Sequence, residues 1–143
     1  MRFSEAKNRK VVSTAEAETV GRVRDLVLDA RSRTVVALAL RKTAGDGDIL
    51  PWAEMKSFGQ DAITVHGPER IVKAEGELAV LADKDHRVLG KRVLTDRGDE
   101  VGSVSDIEFD PESGTVRALL LGKEEISGER LHAIGSYAVI VQR

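Results

Sequence analysis

Short stretches in which apolar and polar residues alternate recur along this sequence, and they are rich in β-branched side chains. Both properties are typical of β-strands that bury one face and expose the other. The pattern therefore predicts a mainly β fold. The predicted strands lie at residues 10–13, 22–29, 35–41, 62–65, 92–95, 103–110, 116–121 and 138–141.

The two halves of the chain are copies of each other. When residue n is placed against residue n+81, residues 20–40 align with residues 101–121, and 11 of these 21 positions are identical. A match of this density in one ungapped stretch indicates an internal duplication. Two further matches extend it: residues 10–14 with residues 91–95 at the same offset and, after five extra residues in the first copy, residues 58–65 with residues 134–141.

The second predicted strand has an irregular spacing of its strongest apolar positions. The interval from Val23 to Leu26 is three positions and that from Leu26 to Leu28 is two, whereas strict alternation requires even intervals. One extra residue, a β-bulge, restores the alternation. We therefore predict a bulge near residues 24–25 and another near residues 105–106 of the second copy.

The duplication divides the chain into residues 1–70, a connecting segment of residues 71–88, and residues 89–143. Short strands with glycine turns favour two small, strongly bent β-barrels in tandem. The connecting segment is either a short helix interrupted at Gly76 or an extended crossing. A barrel of about 70 residues buries only about 60% of its unfolded surface. We therefore expect the two barrels to share an apolar seam and to unfold as one unit.

The second copy combines several features in order along the chain: Gly90 with Val93, residues 96–98, 102–106 and 110–114, and the apolar strand that follows. In these features it resembles the PRC-barrel domain, which occurs in the cytoplasmic part of the photosynthetic reaction-centre H subunit and in the C-terminal half of the ribosome maturation factor RimM. The first copy matches less fully, since it has Ala17 and Arg33 where the second has Gly98 and Gly114. The resemblance implies a tandem PRC-type fold and an adaptor that binds a protein partner.

Composition and charge narrow the class of protein. The 22 Lys and Arg residues against 24 Asp and Glu give a net charge of -2, so bulk charge predicts no attraction to nucleic acid or anionic membranes. The chain has no cysteine, which excludes disulfides, thiolate nucleophiles and cysteine-bound zinc. Its longest apolar run, residues 35–40, is far shorter than the roughly 20 residues of a membrane helix. We expect a soluble, cytoplasmic protein with no membrane segment.

Motifs for catalysis or cofactor binding are absent from the sequence. His66, His86 and His132 show none of the short spacings of histidine metal sites. No glycine-rich phosphate loop and no nucleophile motif occurs. We therefore expect a protein that is not an enzyme and that binds no cofactor.

Acidic residues alternate in the second copy, at positions 106, 108, 110 and 112. Clustered carboxylates can bind calcium. However, only Asp106 and Asp110 recur in the first copy, as Asp25 and Asp29. Because the duplicated fold keeps these two, we favour a structural role, such as capping a bulge or a turn, over metal binding.

Basic residues are the first candidates for binding a partner. Five arginines surround the second and third predicted strands, and none has a basic counterpart in the second copy, so the fold does not require their charge. They either bind an anionic partner, which is RNA or an acidic protein surface, or form a solvated strand face with local Arg–Asp pairs. Aromatic residues do not interleave with them, so stacking of single-stranded RNA is not supported. The five are Arg22, Arg24, Arg31, Arg33 and Arg41.

Trp52 is the only tryptophan, and the gapped alignment places Gly128 opposite it. It is either an exposed anchor for a partner or a buried plug of the core or of the seam.

Our leading prediction is a non-enzymatic adaptor for protein–protein interaction or assembly. The alternative is an RNA- or ribosome-associated factor that binds through the basic hairpin. Candidate partners are thus another protein, RNA, a ribosomal protein and a second copy of the chain.

Overall fold

The computed structural model describes residues 1–143 and is mainly β. The strands of the first half form one six-stranded sheet in the order β4-β3-β2-β1-β6-β5, and we call this half module one. Only the β1–β6 pair is parallel. The strands are β1 (Lys10–Ser13), β2 (Glu18–Asp29), β3 (Thr34–Arg41), β4 (Ile49–Pro51), β5 (Ser57–Phe58) and β6 (Ala62–Val65).

The second half, module two, has two smaller sheets, in the orders β11-β10-β9 and β12-β13-β7-β8. The pair β7–β13 is parallel, as is the equivalent pair β1–β6 in module one. The strands are β7 (Arg92–Thr95), β8 (Glu100–Ser103), β9 (Asp106–Phe109), β10 (Val116–Leu121), β11 (Glu124–Ser127), β12 (Leu131–Ile134) and β13 (Val139–Val141).

Both modules follow one connectivity. If β8 and β9 together replace β2, the strands of module two occur in the same spatial order as those of module one. Each module curls into a half-barrel, and every strand-to-strand ladder lies within one module. The shared order confirms the duplication and the tandem β architecture. The short edge strands β4, β5, β11 and β12 were not predicted, because β4 and β5 have only three and two residues and the four residues of β11 and of β12 do not alternate strictly.

The predicted alignment of the first strands was wrong by one residue. Val11 pairs with Gly21 and Val93 pairs with Gly102, so β1 aligns with β7 at n+82. The reason is that nine residues lie between Val11 and Gly21, whereas eight lie between Val93 and Gly102. Both valines are fully buried, which fixes this register because a slip of one residue would turn them outward.

The predicted bulge exists in module one but not in module two. The pairing of β2 with β3 shifts between Val23 and Asp25, which leaves Arg24 as the extra residue. In module two the strand breaks instead, with β8 ending at Ser103 and β9 beginning at Asp106. Ser105 stabilises the break, because its hydroxyl donates to the carbonyl of Leu120 at 2.9 Å and accepts from the N–H of Gly122.

The connecting segment combines both of the conformations considered for it. Val72 is extended and exchanges two backbone hydrogen bonds with Ile49, of 2.8 and 3.0 Å, at the edge of module one. Helix α2 (Gly76–Leu81) then begins at Gly76, whose φ is +59°. Leu78 and Leu81 of this helix pack on a small buried cluster, as do Ala74 and Ala82 beside it. The cluster consists of Val27, Ala37, Ala39 and Ile49. Gly76 therefore begins the helix and does not interrupt it.

A single apolar core joins the modules. One cluster of 24 buried residues contains side chains from both of them. The ring centre of Phe109 in module two lies 5.5 Å from that of Phe58 and 6.4 Å from that of Trp52, and both of these belong to module one. These contacts confirm the apolar seam. Unfolding as one unit remains a prediction.

Backbone hydrogen bonds across the seam are reciprocal. Val35 donates to the carbonyl of Gly114 at 2.7 Å, and Val116 donates to the carbonyl of Arg33 at 2.9 Å. Thr34 and Thr115 face each other between these bonds. At n+81, residues 33, 34 and 35 correspond to residues 114, 115 and 116, so each module contributes the same positions. The modules therefore meet through an isologous contact, about a local two-fold axis.

The segment preceding each module packs on the other module. Helix α1 (Phe3–Ala6) lies against β9, where the Ser4 hydroxyl donates to Asp106 at 2.6 Å. On the other side, α2 lies against β2, and Arg87 forms an ion pair of 3.1 Å with Asp25. This exchange extends the contact between the modules beyond the seam.

Candidate functional site

Three cations on neighbouring strands of module one lie side by side. Lys10 on β1 is directly opposite Arg22 on β2, which is directly opposite Arg41 on β3. Directly opposed residues point to the same face of a sheet, with Cβ atoms about 5 Å apart. An adjacent residue in each strand is buried, so the three side chains lie on the outer face. We call Lys10, Arg22 and Arg41 the basic row.

No acidic side chain forms an ion pair with the basic row. The guanidinium of Arg22 donates to the backbone carbonyl of Asn8 at 3.1 Å, which leaves its charge unbalanced. Like charges placed directly opposite each other in a sheet destabilise it. The row therefore costs the fold stability, and its cations are available to an anionic ligand.

The equivalent positions of module two carry one charge instead of three. Strand pairing and the n+81 offset place Arg92, Ser103 and Gly122 there. The single cation, Arg92, forms an ion pair of 3.7 Å with Glu100. Only module one therefore presents unpaired positive charge at this place in the fold.

The other three predicted arginines do not join the basic row. Arg24 lies in the bulge, 3.5 Å from the carboxylate of Asp48. Arg31 is exposed in the turn between β2 and β3. Arg33 donates from Nε to the carbonyl of Leu131 at 2.9 Å and so ties module one to module two.

Sequence reasoning missed Lys10 as a member of the site. Its position beside Arg22 depends on the register between β1 and β2, which local pattern does not determine.

Trp52 is half-buried in the seam. Its ring stacks on Phe58 at 6.0 Å and meets Phe109 edge-on. Gly114 of module two lies beside it, and a Cβ at that position would be 3.2 Å from the indole Cε2. Of the two interpretations of Trp52, its position favours the plug of the seam.

The recurring aspartates make the same local bonds in both modules. Asp25 accepts from the N–H of the next residue at 2.8 Å, as Asp106 does at 2.9 Å. Asp29 and Asp110 each accept, at 2.9 Å, from the N–H two residues further on. These are a strand-break or bulge contact and an Asx turn. Their prediction as structural residues is confirmed.

Asp25 differs from its counterpart in being buried and ion-paired. Burial raises the pKa of Asp25 above its usual range, although the N–H of Leu26 and the charge of Arg87 both act to lower it. Removal of Arg87 would leave a buried carboxyl without its cation. This pair therefore holds the connecting segment against module one and is not an open ligand site.

A family comparison assigns the modules. A model of the PRC-barrel domain matches the chain twice, at residues 1–71 and at residues 82–142. The chain belongs to the PRC-barrel domain family. Both halves are thus PRC barrels, as the resemblance implied. No curated protein matches the chain.

The other ion-paired side chains of this PRC-barrel protein form isolated pairs and one short chain, in which Arg70 joins Glu69 to Glu54. The His66 ring lies 2.6 Å from Glu69, and this hydrogen bond lowers the pKa of the Glu69 carboxyl. No three His, Asp or Glu side chains come together as a metal site. None of its helices has the length and the apolar character needed to cross a bilayer.

Proposed function

We propose that this tandem PRC-barrel protein is a non-enzymatic adaptor and that module one binds an acidic surface of a partner protein through the basic row. The main support is the geometry of Lys10, Arg22 and Arg41, which lie in one line across three strands with no acid among them. Electrostatic complementarity of this kind speeds association and selects partners of opposite charge.

A protein partner fits the row better than RNA does. Single-stranded RNA is bound on aromatic side chains that stack with its bases. In module one, Trp52 and Phe58 are engaged with Phe109 in the seam and offer no such platform. A line of carboxylates on a protein partner, by contrast, can bind to the cations of the row without an aromatic platform. RNA remains the second candidate, because phosphates also bind Lys and Arg without stacking.

The proposal is tested with the double variant Arg22→Ser, Arg41→Gly, which places the residues of module two in the row. The probes are a labelled polyglutamate peptide and a labelled polyuridylate, each titrated at low salt. Exposed ion pairs contribute up to about 1 kcal/mol each, so we expect binding of polyglutamate to weaken about tenfold. The control variant Arg31→Ser, Lys123→Ser loses the same charge away from the row and should bind as the native chain does.

Two results would contradict the proposal. If the control variant weakens binding as much as the row variant, net charge and not the row is responsible. If the native chain does not bind polyglutamate at low salt, module one has no acidic partner. Row-dependent binding of polyuridylate alone would support the second candidate.

A further inference from the structure

Module two carries apolar side chains on its outer face. Ala133 on β12 lies opposite Ile140 on β13, and Ile140 lies opposite Leu94 on β7. All three are partly buried and keep some contact with solvent, whereas Val93 and Val139, their neighbours along the strands, are fully buried. We call Ala133, Ile140 and Leu94 the apolar stripe.

The equivalent positions of module one are more polar. There the same strand pairing joins Ser57 to Thr64, and Thr64 to Val12. Because module one folds with a serine and a threonine at these positions, the fold does not require alanine and isoleucine in module two. Apolar side chains that the fold does not require and that stay in contact with water are typical of a binding surface.

An aromatic side chain extends the apolar stripe. Tyr137 is 64% exposed and, with Ile134 and Ile140, lines a shallow depression of about 340 Å³. The guanidinium carbon of Arg92 lies 4.6 Å from the centre of its ring, and Nη1 of Arg92 lies 3.1 Å from its hydroxyl. Two contacts therefore hold the ring in place. A tyrosine held in this way offers contact area at a small entropic cost.

Two cations border the apolar stripe. Arg92 contacts Tyr137 and forms an ion pair of 3.7 Å with Glu100, and Lys91 donates from Nζ to the backbone carbonyl of Gly135 at 2.7 Å. Both cations are therefore already engaged with groups of the chain itself. This favours an uncharged anchor residue with an aliphatic or aromatic side chain.

The size of the apolar stripe favours a short ligand. Three strands at the usual spacing span about 10 Å. A stable protein dimer buries about 800 Å² on each subunit, which is more than three side chains and one tyrosine supply. A short peptide segment, inserting one anchor side chain beside Tyr137, matches this area better than a second copy of the chain does.

We infer that the apolar stripe and Tyr137 form a peptide-binding surface, which takes a short segment of a partner protein through an uncharged aliphatic or aromatic anchor. This surface lies on module two, whereas the basic row lies on module one, and the two surfaces share no residue. The two proposals can therefore fail separately.

The test is to pan a displayed library of random peptides against the full chain and against the variant Ala133→Ser, Ile140→Thr. This variant carries the residues of module one, which are compatible with the fold. We expect the native chain to enrich peptides that share an aliphatic or aromatic anchor. Their synthetic forms should bind the variant about tenfold more weakly and should shift the NMR signals of Leu94 and Tyr137.

Two further variants distinguish loss of this surface from poor folding and from an effect of the basic row. Tyr137→Ala removes a side chain outside the core and should also weaken binding, which covers the case in which the double variant folds poorly. Arg22→Ser, Arg41→Gly should bind the peptides as the native chain does, whatever happens to polyglutamate binding.

Several results would overturn the inference. Peptides with no common anchor, peptides selected for acidic residues, or equal affinity for the native chain and the stripe variants would each exclude this surface. Enrichment of no peptide would do the same. A native dimer in sedimentation that the stripe variant abolishes would show that a second copy occupies the stripe, against the peptide proposed here.

Discussion

Module one and module two share one connectivity, yet their outer faces carry different chemistry. Where module one has three unpaired cations, module two has one arginine already paired with an acid. Where module two has the apolar stripe, module one has serine, threonine and valine. Inside, by contrast, Leu38 and Leu40 of module one correspond to Leu119 and Leu121, which are buried as well. The comparison shows that the core residues define the fold, so that the residues on each outer face can differ and can bind different ligands.

At the seam the two modules differ in a complementary way. On one side the Arg33 side chain reaches across to Leu131, while on the other its counterpart Gly114 leaves room for Trp52. The counterpart of Trp52 is Gly128, where a Cβ would lie only 1.9 Å from the carbonyl oxygen of Val116. Each module is therefore shaped for the other and not for a second copy of itself.

The largest effect on folding is expected when the two modules are separated. Residues 1–70 and residues 85–143, expressed separately, would each expose half of the shared core. We expect fragments that are poorly folded or that self-associate, as judged by circular dichroism and sedimentation. Mixing the two fragments should restore the native spectrum, because the seam is complementary. Fragments that each melt alone, as monomers, at the temperature of the intact chain would show that the modules are independent.

A smaller effect is expected from changing one seam position at a time. In Gly114→Ala the new Cβ would lie 2.9 Å from the carbonyl oxygen of Val35, at a residue whose φ is +79°. We expect a loss of about 2 kcal/mol or more in the free energy of unfolding, measured by denaturant titration. The matched variant Arg33→Gly relieves a φ of +58° but loses the bond to Leu131, so it should change stability by about 1 kcal/mol at most. Equal stability of Gly114→Ala and the native chain would refute the close packing at this position.

The smallest effect compares the turns between the first two strands of each module. Ala17 has a φ of +54°, and its counterpart Gly98 has a φ of +88°. A left-handed conformation costs alanine about 1 kcal/mol, and glycine adopts it freely. Ala17→Gly should therefore raise the melting temperature slightly, and Gly98→Ala should lower it. Changes of the same sign in both variants would mean that the two turns are not equivalent.

Local features of this fold could be predicted from the sequence. The bulge at Arg24 follows from the spacing of Val23 and Leu26 along one strand. The bonds of Asp25 and Asp29 join residues no more than two positions apart, and their recurrence in the second copy revealed them. In each case the neighbours along the chain contain the necessary information.

Features that depend on pairing between distant segments could not be predicted. The basic row needed the register of Lys10 against Arg22. Arg33 looks like any exposed turn arginine until its partner Leu131, 98 residues away, is known. The strand break at Ser105 also replaced a predicted bulge, because the bonds that stabilise it come from the next strand and turn.

The reciprocal bonds of Val35 and Val116 have a consequence for stoichiometry. Two identical subunits that meet about a two-fold axis display every binding site twice, and a mutation that improves one copy of a site changes the other as well. Joining the subunits in one chain keeps the axis in the backbone but lets the side chains differ. An assembly built on this chain can therefore have a defined polarity, with one kind of partner on each module and one copy of each partner per chain.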